Sequence, residues 1–314
     1  MMNRTIHIIL LLWISALILS CAERGHEEPP EPEPLSVPIR LYTGIRTRAA
    51  VDTFDGTPVC IACGPSAGNY TACWEGVATG NEIKLVPTRY YPLDGSPVYL
   101  RSFYPPAPMT AEGTLLYTLT GEEDLMLACE QSGSRDAPFT EDSERMLLHR
   151  HLLTKLVFHL KLDMEDADKF SIRSMALNGL SQEVQLSLLT EELTCGEAVV
   201  SVTVYDSGEE GACLPFEDGG VRLPGHVLVQ PGAEFSIELR LAVDDDPAHD
   251  FVYTHLPVHF EGGAGEGGVA YTVLVDIPDP ATAEPQEIVA MAKVCSWENG
   301  TGGNGEIDGG EGIE

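Results

Sequence analysis

Two histidines one residue apart, His149 and His151, are the first residues whose spacing could do chemistry. On a strand they would point the same way about 6 to 7 Å apart, which suits a shared metal ion. No cysteine or carboxylate pattern beside them supplies third and fourth ligands, so the pattern does not predict zinc. Cys60-Ile61-Ala62-Cys63 has the spacing of a redox or zinc pair, yet it reads as strand followed by turn, and no second close pair completes a site. His255 and His259 would share a strand face about 13 Å apart, too far for one ion. Asp244-Asp245-Asp246 lacks the spaced oxygen ligands and turn glycine of a calcium loop and reads as a solvated acidic loop. The chain contains no G-x-S-x-G, no phosphate-cradling glycine loop and no H-E-x-x-H. The reading is of a non-enzyme with no catalytic residue, no metal and no cofactor.

The cysteine with the clearest chemistry is Cys21. A short basic head ending at Arg4 is followed by the apolar run Ile8 to Ile18, and Ile18-Leu19-Ser20 leads directly into Cys21. That is the composition of a secretory signal over residues 1–20. A cysteine at its end is what lipoprotein maturation needs, and several acyl chains on Cys21 would hold the chain at a membrane. An ordinary cleaved signal with an incidental cysteine is the alternative, and the run is short for a membrane span. Residues 21–36 continue as a lipidated cysteine and a Glu/Pro tether with little to bury. The other seven cysteines are an odd number, which cannot pair fully within one chain, and they read as small buried apolar residues. The chain carries 49 acidic and 18 basic side chains, a net charge of −31, which excludes nucleic acid as a partner.

These residues sit on an all-β pattern. Val37 to Ile45 alternates at period two, with Val37, Ile39, Leu41 and Thr43 on one face. Strands follow at 57–63, 70–76 and 81–87, and Asp94-Gly95 turns the chain into an alternating strand at Val98 to Phe103. Leu115 to Leu119 and Leu125 to Cys129 read as strands, and Glu144 to Leu153 as a turn or two of helix. Leu156, Phe158, Leu160 and Leu162 then share one strand face. Further short strands run to Trp297 with Gly and Pro between them. The expectation is two β-sandwich domains in tandem, at 37–163 and 164–297, with a disordered Gly/acidic tail at 298–314. The aromatics Tyr90, Tyr91, Tyr99, Phe103 and Tyr104 are candidates for a surface contact with a host or bacterial ligand, with core packing as the competing reading.

Four segments, in order, resemble the fimbrillin-like proteins of Bacteroidales. They are Tyr42-Thr43-Gly44-Ile45-Arg46-Thr47-Arg48-Ala49 after the lipoprotein cysteine, Tyr90 to Pro105 with its turn and strand, His151-Leu152-Leu153-Thr154-Lys155-Leu156-Val157-Phe158, and Val294 to Gly300 with its tryptophan. The resemblance implies transthyretin-like Greek-key sandwiches and a lipid-anchored place at the outer membrane, exposed or built into fimbriae. It also implies partnership with other fimbrial subunits by strand exchange: an arginine-directed protease would cut after Arg46 or Arg48, and a donated strand would fill the groove left by Val37 to Ile45. The cysteine content and the Gly/acidic tail point away from a stalk subunit and toward an accessory, tip or anchor role. A non-polymerising lipoprotein that binds carbohydrate or protein at the cell surface is the alternative.

Overall fold

Strand-forming alternation and turn glycines account for most of what the computed structural model shows. It describes residues 36–46, 51, 52, 54–142, 144–164, 166–208, 212–217, 220–244, 246–280 and 288–297. The expected signal, Cys21, the tether to residue 35, Arg48 and the tail lie outside the described residues. In chain order the first strands are β1 (Leu41–Arg46), β2 (Val51–Asp52), β3 (Phe54–Gly64), β4 (Ala72–Gly80), β5 (Glu82–Val86), β6 (Val98–Tyr104), β7 (Thr114–Thr118), β8 (Met126–Ala128), β9 (Gln131–Gly133), β10 (Leu147–His151) and β11 (Thr154–Leu162). A 3-10 turn at Ala167–Lys169 precedes β12 (Phe170–Ser181), β13 (Glu183–Ser187), β14 (Leu193–Cys195), β15 (Val199–Asp206), β16 (Leu214–Pro215) and β17 (Gly220–Arg222). The last are β18 (Val227–Val229), β19 (Ser236–Val243), β20 (Asp246–Phe260), β21 (Ala270–Ile277) and β22 (Val289–Cys295). The protein is all-β.

The first sheet runs β10-β8-β6-β3-β4-β5-β1, and β1 also pairs with β10, so the sheet closes on itself as a barrel. Every pairing in it is antiparallel except β1 with β10, which is parallel from Thr43 beside Leu147 to Arg46 beside Arg150. The alternation read in the first strand holds: Ile39, Leu41, Thr43 and Ile45 are buried while Arg40 and Arg46 are exposed. β10 replaces the helical turn expected at 144–153. Leu147, His149 and His151 are buried and Arg150 is exposed, a period of two that pairing on both sides fixes as a strand.

The second sheet runs β15-β12-β19-β20-β22-β21-β11-β17 and folds over its own core. β20 makes the turn between layers: it pairs antiparallel with β19 up to Pro257, then parallel with β22 from Val258. A register irregularity opposite Ile237 and Leu239, with His255 at φ 62, lies just before that switch. Leu156, Phe158 and Leu160 of β11 meet Ile172, Leu177, Leu239 and Leu241 in this core.

A third sheet, β14-β13-β7, joins early and late parts of the chain. Leu115 and Tyr117 of β7, with Val184 and Leu186 of β13, pack against Ala62, Phe103 and Leu127 of the barrel strands. Strand pairing thus crosses residue 163 in both directions: β11 lies beside β21 along its whole length, and β13 lies beside β7.

Candidate functional site

The place where the first strand closes the barrel is the site to which the sequence points. β1 has neighbours on both sides, β10 on one and β5 and β2 on the other. Further main-chain bonds tie the segment down, from Ile39 N–H to the Arg89 carbonyl (2.8 Å) and from Thr43 N–H to the Asn81 carbonyl (2.8 Å). Leu41 and Ile45 fill the barrel interior at 2% and 6% exposure. Arg46, one of the two expected cleavage residues, ends β1 with its side chain exposed.

A polar link runs through the seam. The Thr43 hydroxyl donates to the Leu147 carbonyl at 3.0 Å, so its oxygen accepts from His149 Nδ1–H at 3.1 Å. That leaves His149 Nε2 to accept from the Ser102 hydroxyl at 3.0 Å. The Phe54 ring meets the imidazole edge-on at 5.0 Å. Burial pulls the His149 imidazole from its ordinary value of 6.5 down to about 4. One neutral histidine therefore joins β1 to β6 inside the barrel. His151 has a separate environment. Its Nδ1 is 2.7 Å from Asp124 Oδ2 and its ring stacks on Trp297 at 4.0 Å.

The other sequence candidates separate as well. Cys60 and Cys63 lie three residues apart on β3 and so face opposite sides, Cys63 buried and Cys60 half-buried against the core under the third sheet. Burial raises the Cys63 thiol to about 11, against the opposing charge of Arg89. The Cys73 thiol on β4 instead draws the Cys60 thiol below its ordinary value. Among the described residues no group of three or more His, Cys, Asp or Glu side chains is placed to hold a metal ion.

The five aromatics do not form one surface. Tyr90 is 53% exposed, while Tyr99 and Tyr104 are half-buried. Tyr91 and Phe103 correct the expectation: they are core residues at 3% and 0% exposure. Phe103 is buried because the middle of β6 is covered on both faces, by the barrel interior and by the third sheet, so alternation gives it no open side. Tyr91 stacks on Phe139 at 6.1 Å, and its hydroxyl accepts from the Phe139 N–H at 3.1 Å.

A second polar cluster escaped sequence reading. Glu191, in the loop after β13, receives Arg101 of β6 at 2.9 Å and Arg150 of β10 at 2.7 Å. Burial opposes its charge, but the hydrogen bond from Arg150 and the two guanidinium groups hold the carboxyl below its ordinary value. Arg101 also donates to the Leu188 carbonyl at 2.7 Å. The loop is thereby fastened to the outside of the barrel.

Comparison with solved structures places this architecture. A protein of Bacteroides uniformis named for cell adhesion matches over 83% of this chain and 99% of its own, with a TM-score of 0.58 at 16% identity. A fimbrial protein of Bacteroides vulgatus matches over 82% and 99%, with a TM-score of 0.55 at 10% identity. The fold is that of these fimbrial and cell-adhesion proteins. A further cell-adhesion structure, from Bacteroides ovatus, covers 85% of this chain and all of its own with a TM-score of 0.54 at 15% identity. No family model matches the sequence, and no curated protein matches it. The fimbrial fold agrees with the fimbrillin-like resemblance carried by the four sequence segments.

Proposed function

We propose that this chain is a non-enzymatic cell-surface component of fimbriae, an accessory, tip or anchor subunit that assembles by exchanging its first strand. The observation that carries the reading is the position of β1, the one strand that closes the barrel through a parallel seam and ends in an exposed arginine. The adhesion and fimbrial names of structures sharing the fold support a surface role.

The energetics explain why exchange must be a replacement and not a loss. Removing the segment uncovers the sites of Ile39, Leu41 and Ile45, each worth about 1.5 to 3 kcal/mol of burial, and leaves β5 and β10 with unpaired backbone. That sum approaches the whole stability of an ordinary domain, about 5 to 15 kcal/mol. An opened barrel would therefore take up an extended apolar strand, whose main chain pairs with β5 and β10 and whose alternate side chains fill the vacated positions. Lipid on Cys21 would hold the subunit at the outer membrane before exchange.

Treating the folded chain with an arginine-specific protease and sequencing the new N-terminus tests the idea. Cleavage after Arg46 or Arg48, followed by uptake of a synthetic peptide of residues 37–46, is the expected result. Resistance of both sites in the folded chain would sink it. A non-polymerising ligand-binding lipoprotein is the second reading, favoured by the exposure of Tyr90 (53%) and Leu93 (59%) in the loop between β5 and β6.

A further inference from the structure

Arg89 lies over an indole ring and not against a carboxylate. Arg101, Arg150, Lys169, Arg173 and Arg240 each have a carboxylate within ion-pair distance. Arg89 has none among the described residues, although acidic side chains outnumber basic ones 49 to 18. Its guanidinium lies 5.5 Å from the centroid of the Trp74 ring, and its Nε is buried with no acceptor. The Arg89 side chain as a whole is half-buried, so part of it remains open to solvent.

The register locates the pair. Trp74 lies opposite Ile61, on the face of β4 that turns into the barrel, where Gly76 and Ala78 are buried. Being near the start of β4, the indole remains half-exposed at the barrel's end. The Arg89 charge also acts on Cys63, a buried residue of β3 at that end. The Arg89 carbonyl accepts the Ile39 N–H at 2.8 Å, which fixes the backbone beneath the side chain.

We propose that Trp74 and Arg89 form a binding site for a carboxylate-bearing sugar, a uronic or sialic acid, at this end of the barrel. The two Nη groups present a planar fork that matches a carboxylate with two parallel hydrogen bonds. The indole, half-exposed with the guanidinium over one of its faces, leaves apolar ring for the C–H groups of a sugar. Because Nε is already stripped of water, the guanidinium is poorly solvated, which strengthens its attraction for an anion on its open side. The net charge of −31 selects among anions: a monoanion carrying an apolar ring meets less repulsion than a dianionic phosphate. A neutral sugar leaves the fork unanswered. The site does not rest on strand exchange, since it uses β4 and the loop after β5 with β1 in place.

The test is calorimetric titration of the full-length chain in detergent at low salt, with D-glucuronate, N-acetylneuraminate, D-glucose and inorganic phosphate as probes. The acidic sugars should bind at least about tenfold more tightly than glucose, as expected for a charge-assisted hydrogen-bonded pair. Arg89→Gln should remove that preference, and Arg89→Lys should retain only a minor part of it because the fork is lost. Trp74→Leu should weaken binding of the acidic sugars, with the melting temperature of each variant measured against the native chain as its own folding control. Equal binding of glucose and glucuronate, tighter binding of phosphate, unchanged affinity in Arg89→Gln, or no heat from either acidic sugar at millimolar concentration would each overturn the assignment.

Discussion

Lowering the pH should loosen the barrel through a single side chain, and the size of the effect can be worked out from His149. The imidazole is fully buried, between Thr43 of β1 and Ser102 of β6, and burial lowers it from 6.5 to about 4. Between those values the unfolded chain binds a proton that the folded chain does not, so this contribution to stability is present above pH 6.5 and is lost as pH falls toward 4. The whole gap corresponds to about 3 kcal/mol, most of which is gone by pH 4.5. The cost is one of desolvation: the Ser102 hydroxyl can turn from donor to acceptor when Nε2 gains its proton, so no hydrogen bond need break. Carboxyls held below their ordinary value, such as Glu123 and Glu191, begin to lose their contribution only near pH 4.5, at the acid end of this window, and do so equally in a variant of His149. His226 titrates in the same direction as His149 because burial lowers it too, and the comparison must subtract it. Urea unfolding of the native chain and of His149→Asn at pH 8 and pH 4.5 does so. The native chain should lose about 2 to 3 kcal/mol more than the variant, and hydrogen exchange at the β1 amides should quicken in parallel. Parallel pH profiles for the two proteins would refute the argument.

Two other perturbations follow from the packing. Glu191→Ala removes the partner of both Arg101 and Arg150 and should cost about 1 to 3 kcal/mol, discounted because the Glu191 side chain is 30% exposed. Glu191→Gly should recover about 1 kcal/mol of that, since residue 191 has φ 61; urea midpoints of the two variants check the order, and an alanine variant as stable as the native chain would show that the loop docks by other means. Phe103→Ala should cost about 3 to 5 kcal/mol because the ring is fully buried between two layers, whereas Tyr90→Ala should change stability by less than about 0.5 kcal/mol. Thermal unfolding of both variants separates a core ring from a surface ring.

What could be read from the sequence divides along a physical line between local and long-range information. The alternation of Ile39, Leu41, Thr43 and Ile45, and of Leu156 to Leu162, is written in neighbouring residues, and both segments are strands with those faces buried. Which strand lies beside which is not local. The parallel pairing of β11 with β21 spans more than a hundred residues of chain, and β13 reaches back to β7, so no local pattern reports either pairing. The same limit explains the misreading of β10. Taken alone, Glu144 to Leu153 has charged and apolar residues at spacings that a short helix tolerates, and only the flanking β1 and β8 fix it as extended. The histidines show how this bears on function. His149-x-His151 drew attention as a metal pair because a shared strand face was the only geometry that spacing could offer. The structure engages one imidazole with Thr43 and Ser102 and the other with Asp124 and Trp297, four residues from four distant parts of the chain. A buried histidine binding the first strand at its middle makes that strand's retention depend on the protonation of the barrel interior. The strand proposed to leave is thus held most strongly at neutral pH, and a donated strand lacking a hydroxyl opposite His149 would leave Nδ1–H without that partner. Replacing Thr43 by Val in the 37–46 peptide should therefore weaken its uptake into the cleaved barrel by about thirtyfold, the loss of the two buried hydrogen bonds its hydroxyl makes with the Leu147 carbonyl and His149, at about 1 kcal/mol each. Equal uptake of the two peptides would show that apolar fit and backbone pairing alone decide which strand enters.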